Sequence, residues 1–256
     1  MRPAFSLEGM RSLKMTERAA VEKRLRSLSG RSRPHHPLLP PADGGTGIIA
    51  EVKKASPSRG TIAEVSPSVQ AARYARGGAA AVSVLVDRSF FGGSCDDLQE
   101  AAASVGIPVL CKEFIFFREQ LDLAWMLGAD MALLIACMLS DEELSGLYTH
   151  AKHLGLEPLI EIHEAGELAR VLRLGPSLVM ANARDLRTLE LRPERAIAAL
   201  QAVPEWIGTI YASGISSPED IRTVRGRTGT RLFLVGTSIM QKGDPSSFIR
   251  ELADVH

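Results

Sequence analysis

A closed (β/α)8 barrel, an α/β TIM barrel with an N-terminal helical extension, is the fold this sequence predicts. From Gly47 onward, short runs rich in Val, Ile and Leu alternate with helical stretches at intervals of roughly 20 to 35 residues. The runs are continuously apolar rather than alternating, which is the pattern of parallel strands buried on both faces. Eight strands, each followed by a helix, in about 210 residues match the length of such a barrel. The competing open doubly wound sheet needs fewer strands and usually a glycine-rich first turn. Here that turn reads Lys53-Lys-Ala-Ser-Pro-Ser-Arg-Gly60, with no GxGxxG.

The expected strands are residues 48–52, 81–86, 108–112, 131–136, 158–162, 178–182, 208–212 and 232–235. The helices between them carry start and stop signals. Ser66-Pro67 supplies an N-cap and an N1 proline, and Gly77-Gly78 ends that helix. Ser140-Asp-Glu-Glu143 forms a capping box. It opens a helix whose Leu144, Leu147, Tyr148, Ala151 and Leu154 share one face before Gly155 closes it. Ser217-Pro218 and Asp244-Pro245 repeat the cap-then-proline start.

The N-terminal segment differs. Residues 1–36 hold nine Lys/Arg against three Glu, and Pro34, Pro37, Pro40 and Pro41 follow. A helix from about Thr16 to Leu28 is expected, with Thr16 as N-cap and Gly30 just past its end. The expected organisation is residues 1–45 as a basic helical extension and proline-rich linker, then residues 46–256 as the barrel. The extension reads as a solvated amphipathic helix lying over the barrel rather than as a basic arm for RNA or an acidic partner. A cleaved signal peptide is not expected, because no apolar region follows the early charges.

Over all 256 residues, 30 Lys+Arg balance 30 Asp+Glu. That balance argues against a general nucleic-acid or membrane-surface binder. The longest strongly apolar stretch, residues 131–139, is far shorter than a membrane span needs. Cys95, Cys111 and Cys137 are odd in number and lack metal-ligand spacing, so a reduced, cytoplasmic location is expected and no metal site.

In a (β/α)8 barrel chemistry sits where the strands end. The first strand ends in Glu51 and Lys53, the third in Lys112-Glu113, the fifth in Glu161 and His163, and the sixth in Asn182. Glu51 and Lys53 are two apart and face one side. A charge closing an apolar run costs desolvation unless it is paired or used, so two lysines and two glutamates from three strands favour an acid–base site. Strands seven and eight end instead in Ala212-Ser213-Gly214 and Val235-Gly236-Thr237-Ser238, small residues that let backbone N–H groups approach an anion. Loops after these two strands commonly hold phosphate, and Lys53 is placed to reach it. The substrate class that follows is a small phosphorylated metabolite.

The segment Ile48-Ile-Ala-Glu-Val-Lys-Lys-Ala-Ser-Pro-Ser-Arg-Gly60 resembles the signature of the indole-3-glycerol phosphate synthase family. It is followed in order by Ser83-Val-Leu-Val-Asp87, Phe90-Phe-Gly-Gly-Ser94 and Pro108-Val-Leu-Cys-Lys-Glu-Phe-Ile115. Leu133-Leu-Ile-Ala136, Gly155-Leu-Glu-Pro-Leu-Ile-Glu-Ile-His163, Asn182-Ala-Arg-Asp-Leu-Arg-Thr-Leu189 and Ser213-Gly-Ile215 complete the series. The resemblance runs over roughly residues 47–250; the extension has a family counterpart by position, but its sequence shows no clear match.

The family reaction closes the ring of 1-(2-carboxyphenylamino)-1-deoxyribulose 5-phosphate with loss of CO2 and water, using no metal or organic cofactor. The resemblance implies that Lys112 is the general acid and Glu161 the general base. Glu51 would orient the acid and stabilise the developing cationic nitrogen, and Lys53 would pair with phosphate, substrate carboxylate or Glu51. Asn182 would bind the ribulose hydroxyls, while Ser213, Gly214, Gly236 and Thr237 would cradle the phosphate. Arg184, in the same block as Asn182, joins the substrate-binding set. Ser56, Phe91, Leu133 and Leu189 would contact the aromatic ring or form its walls. Other tryptophan-pathway enzymes are the candidate partners the family suggests; neither nucleic acid nor membrane is.

The chain also departs from the family pattern. Ala212-Ser-Gly-Ile215 stands where Glu-Ser-Gly-Ile is usual, Glu113 replaces an Asp, and Cys111, Ala183 and Phe117 are unusual. The missing carboxylate at Ala212 motivates two alternatives, a weakly active or repurposed paralogue that keeps the phosphate-binding barrel, and a non-catalytic binding barrel. A sister isomerase barrel is a third, but it would want a Cys base where Glu51 stands. His35-His36 has no carboxylate at ligand spacing, Trp125 and Met126 read as packing, and His163 as an orienting or packing residue.

Overall fold

The computed structural model describes residues 6–41, 44–56, 60, 61 and 65–255, with Ala55, Ser56, Gly60 and Thr61 described by backbone alone. Eight parallel strands close on themselves: β1 (Gly47–Val52), β2 (Ala81–Leu85), β3 (Val109–Lys112), β4 (Met131–Ile135), β5 (Glu157–Ile162), β6 (Leu178–Asn182), β7 (Gly208–Ala212) and β8 (Leu232–Val235), with β8 pairing back onto β1. Each strand lies within one residue, at either end, of its expected span. Their continuous apolar runs are buried as predicted, because the helices cover the outside and neighbouring strands fill the inside. Ala55–Ser56 and Gly60–Thr61 pair as a short antiparallel ribbon after β1.

The expected caps form. Ser66 accepts from Val69 N before α2 (Pro67–Arg76). Asp87 caps the single turn α3 (Arg88–Phe91), and Ser94 caps α4 (Cys95–Ala103). α5 (Arg118–Met126) follows β3. Ser140 and Glu143 form the capping box of α6 (Asp141–Leu154), which Gly155 closes in the left-handed conformation. α7 (Leu168–Leu172) and α8 (Pro193–Gln201) follow β5 and β6. α9 (Pro218–Thr228) starts at Ser217, the short α10 (Thr237–Met240) at Gly236, and α11 (Pro245–Ala253) at Asp244. No helix among the described residues is long and apolar enough to cross a membrane.

The N-terminal helix departs from expectation. It spans Leu7–Arg26, ten residues earlier than expected relative to Thr16, and is capped by Ser6, whose hydroxyl accepts from Gly9 N at 3.1 Å. Thr16 lies mid-helix and turns its hydroxyl back onto Leu13 O. The helix is also not merely solvated, because Met10 and Lys14 are fully buried against the barrel. Its basic excess meets barrel carboxylates. Arg11 pairs with Glu143, Lys14 with Asp87 and Glu113, Arg18 with Glu119, and Arg24 with Asp96. Arg31 and Arg33 converge on Asp130, which also accepts from Val109 N and His36 N just before β4 begins. His35 lies 3.4 Å from the same carboxylate, so the linker does find an acidic partner, on the face opposite the strand ends. Six of the nine N-terminal cations are thus spent on the barrel, which explains how a basic arm and an acidic barrel sum to zero.

Neighbouring residues in parallel strands turn their side chains the same way. Along the inward face, Glu51 lies beside Ser83, Leu85 beside Lys112, Ile135 beside Glu161, and Asn182 beside Ala212. The charged strand ends therefore open into one chamber at the C-terminal face.

Candidate active site

Glu51 is the hub of that chamber. It is 2% exposed, with Lys53 Nζ at 2.7 Å from Oε1 and Lys112 Nζ at 3.0 Å from Oε2. Burial alone would push the Glu51 carboxyl up, but the Lys112 and Lys53 ammoniums outweigh it and hold the group at about 2. Burial works against the Lys112 ammonium, yet the charges of Glu51 and Glu161 keep its pKa above the usual lysine value. Near neutrality the arrangement is therefore an ionised carboxylate paired with two lysine side chains.

Gly236 makes this packing feasible. A Cβ at that position would lie 2.6 Å from Glu51 Oε1 and 3.2 Å from its Cβ. Gly236→Ala is expected to displace Glu51 and with it Lys112, lowering kcat/KM by about 100-fold, since misplacement near 1 Å costs that much. Steady-state rates beside a thermal melt check this, and an unchanged rate would mean that Glu51 moves freely.

Glu161 is the penultimate residue of β5 and is 1% exposed. Its Oε1 stands 3.3 Å from His163 Nε2, while Oε2 has no hydrogen-bond partner. An unpartnered buried carboxylate oxygen beside a chamber is a ready proton acceptor. His163 does not line the chamber; it sits behind Glu161.

The opposite side is polar and small. Asn182 Oδ1 accepts from Ser213 Oγ at 2.8 Å and from Arg184 N at 3.0 Å. Ser213 and Gly214 adopt φ of +72° and +83°, a left-handed pair that costs energy at the serine and turns the backbone toward the chamber. Gly236 and Thr237 border the same space at the start of α10. Arg184 donates to Leu189 O at 2.7 Å, folding the loop after β6 so that Leu189, itself at φ +61°, lines the mouth.

Leu133 and Phe91 form an apolar wall, Phe91 against Phe114 at 6.2 Å between ring centroids. Lys53 Nζ lies 5.9 Å from the Phe91 centroid. The Ser56 side chain lies outside the described residues. Every other sequence-predicted site residue lines this one chamber.

Asp87 and Glu113 also line it and were not singled out as site residues. Both bind the buried Lys14 of α1, Asp87 Oδ2 at 2.7 Å and Glu113 Oε1 at 3.0 Å. Burial pushes Glu113 up to about 7 even though the Lys14 charge opposes that shift. In the sequence both stand just past a strand end and inside the family-like blocks, but nothing there points to their shared partner Lys14. Ala212 is fully buried in the inward layer beside Asn182, so no carboxylate occupies that strand end.

A closed parallel barrel whose buried charges and small-residue corner gather at its C-terminal face has the build of a barrel enzyme. The sequence model of the indole-3-glycerol phosphate synthase family matches residues 11–252. The match takes in most of α1, so the extension has the family counterpart expected by position, and its sequence falls within the match as well. An indole-3-glycerol phosphate synthase from a Nocardioides species is 40% identical over 224 residues, 87% of this chain and 85% of the relative. That of Bordetella pertussis is 42% identical over 205 residues, covering 80% and 78%. The chain belongs to the indole-3-glycerol phosphate synthase family. The crystal structure of 3-hexulose-6-phosphate synthase superposes with a TM-score of 0.63 over 82% of this chain and 99% of that one, and at 14% identity this likeness concerns the fold alone.

Proposed function

We propose that this chain catalyses the indole-3-glycerol phosphate synthase reaction, converting 1-(2-carboxyphenylamino)-1-deoxyribulose 5-phosphate to indole-3-glycerol phosphate, CO2 and water in a cytoplasmic setting. The observation that carries the reading is the Lys53–Glu51–Lys112 cluster facing the unpartnered Glu161 oxygen within one chamber. Lys112 gives its proton to the ketone oxygen as the carboxylated ring carbon attacks the carbonyl carbon, forming the new C–C bond. The carboxylate then leaves as CO2, its bonding electrons returning to the ring. Lys112 regains a proton from solvent, and the hydroxyl departs as water with that proton, driven by the ring nitrogen lone pair. Glu161 takes the remaining proton, which restores the aromatic indole. Glu51 holds Lys112 in line and offers negative charge as the nitrogen becomes cationic.

Lys53 neutralises the substrate carboxylate or phosphate. The Ser213-Gly214 and Gly236-Thr237 corners cradle the phosphate, with Asn182 and Arg184 on the ribulose side and Phe91, Leu133 and Leu189 against the ring. Acid and base are supplied by β3 and β5, so neither needs to move far between steps.

The missing carboxylate at Ala212 leaves this set of acid, base and anion groups complete. Purified chain given the substrate is expected to release CO2 in equal amount to the indole fluorescence that appears. Substrate loss without CO2, or no loss at all, would overturn the proposal.

A further inference from the structure

Beside the chamber, three side chains unused by the proposed chemistry converge. Cys137 lies in the 3-10 turn Ala136–Met138 after β4, His163 directly follows β5, and Glu167 ends the turn Ala165–Glu167. Cys137 Sγ is 3.9 Å from His163 Nδ1, and one donor atom from each of the three residues lies within 4.8 Å of the others. Glu167 is fixed in place, its Oε1 accepting from His163 N at 2.9 Å and from Glu164 N at 3.2 Å, while its Oε2 is buried without a partner. His163 Nε2 is also buried without a hydrogen-bond partner.

We propose that Cys137, His163 and Glu167 form a binding site for a divalent d-block cation, zinc above all, at the flank of the chamber. The donor set of one thiolate, one imidazole and one carboxylate suits zinc, with a fourth position left for water. Bonds of about 2.0–2.3 Å put tetrahedral donors about 3.3–3.7 Å apart, so small side-chain rotations close the site. Burial pushes the Cys137 thiol up to about 12, the charges of Glu167 and Glu161 add to that shift and Arg187 opposes it, so the thiol gives up its proton only to the charge of a bound cation. On binding, the thiol proton passes to solvent as the metal–sulfur bond forms.

A second feature ties the site to the chamber. With Nδ1 on the metal, the imidazole proton must sit on Nε2, which stands 3.3 Å from Glu161 Oε1. Carboxylate, histidine and metal then form the triad usual around zinc. One Glu161 oxygen is thereby engaged by His163, and turnover slows when the site fills. This last step rests on the reading of Glu161 as the catalytic base; metal binding itself does not.

Cobalt(II) added to the full chain tests the site. One equivalent is expected to give thiolate-to-cobalt charge transfer with tetrahedral visible bands that zinc abolishes. Cys137→Ser should remove the charge-transfer band, and Glu167→Gln, which still accepts from the two amides, should weaken binding by about 10-fold. No charge-transfer band in the unaltered chain, or an equal one in Cys137→Ser, overturns the site. Equimolar zinc should lower kcat of the unaltered chain by about 10-fold and spare Cys137→Ser. Equal rates with and without zinc, or equal inhibition of both chains, overturns the link to Glu161. A chain inactive on the substrate fails the proposed function while the cobalt result stands by itself.

Discussion

Glu51→Gln lowers kcat/KM by about 100-fold or more and moves the alkaline limb of the pH–rate profile to lower pH. The carboxylate is the nearest counter-charge to both ammoniums, at 2.7 Å from Lys53 and 3.0 Å from Lys112. With glutamine in its place, two buried cations face each other across a neutral group. Glu51 and Glu161 are what raise the Lys112 pKa against its burial, so removing Glu51 lowers it. Lys112 acts only while protonated, and activity is lost as pH rises through its pKa; a lower pKa brings that loss earlier. The stability effect has the opposite pH sense. Glu51 titrates at about 2 in the folded chain, below the ordinary carboxylate value. Its contribution is complete above the unfolded-state pKa and fades as pH falls toward about 2. The stability deficit of Glu51→Gln should therefore be full at neutral pH and shrink in acid. Equal melting deficits at pH 7 and pH 3, or an unmoved alkaline limb, would show that Glu51 does not govern the Lys112 charge.

The second large effect lies in the N-terminal helix. Lys14→Met is expected to destabilise the fold by about 3–5 kcal/mol, because it strands Asp87 and Glu113 as buried acids without their cation. For a chain of this size that is about 10 °C in Tm. Glu113, already pushed up to about 7, sets the pH dependence. A carboxyl whose folded pKa is raised favours the fold while protonated, and that advantage disappears as pH rises through the folded value. Without Lys14 the group is harder still to ionise, so the deficit should be smaller at pH 5 than at pH 8. Activity measured below the melting range should fall as well. Asp87 caps α3 through Phe90 N at 2.6 Å and so holds Phe91 on the chamber wall, and Glu113 adjoins Lys112 in the chain. Melting curves at the two pH values decide the matter, and a Tm equal to that of the unaltered chain at both would leave Lys14 with no such role.

These two predictions draw on different amounts of legible sequence. Glu51, Lys112 and Glu161 were readable because a charge that ends an apolar run in a barrel strand can only open onto the mouth, and alternation put Lys53 on the same side as Glu51. The strand ends read almost to the residue for the same reason, since burial on both faces leaves little freedom in where an apolar run stops. Lys14 was not readable. Its helix packs Leu7, Met10, Leu13, Val21 and Leu25 against the barrel, and Lys14 stands among them on the inner face where the apolar period calls for a leucine. Thr16 has the side chain of a cap, but its hydroxyl serves the helix interior. The Cys137–His163–Glu167 cluster was equally hidden, because Cys137 and His163 come from neighbouring loops that meet only when β4 and β5 pair. Contacts made by tertiary structure between polar side chains leave no period in a single sequence.

The proposed chemistry makes Lys112 the acid of a ring-closing decarboxylation. Its test is the rate of indole-3-glycerol phosphate formation by the unaltered chain and by Lys112→Met, both shown to be folded, on the carboxyphenylamino-deoxyribulose phosphate. The rates should differ by about 100- to 10,000-fold, the span a positioned general acid supplies. Equal rates in the two proteins would contradict it.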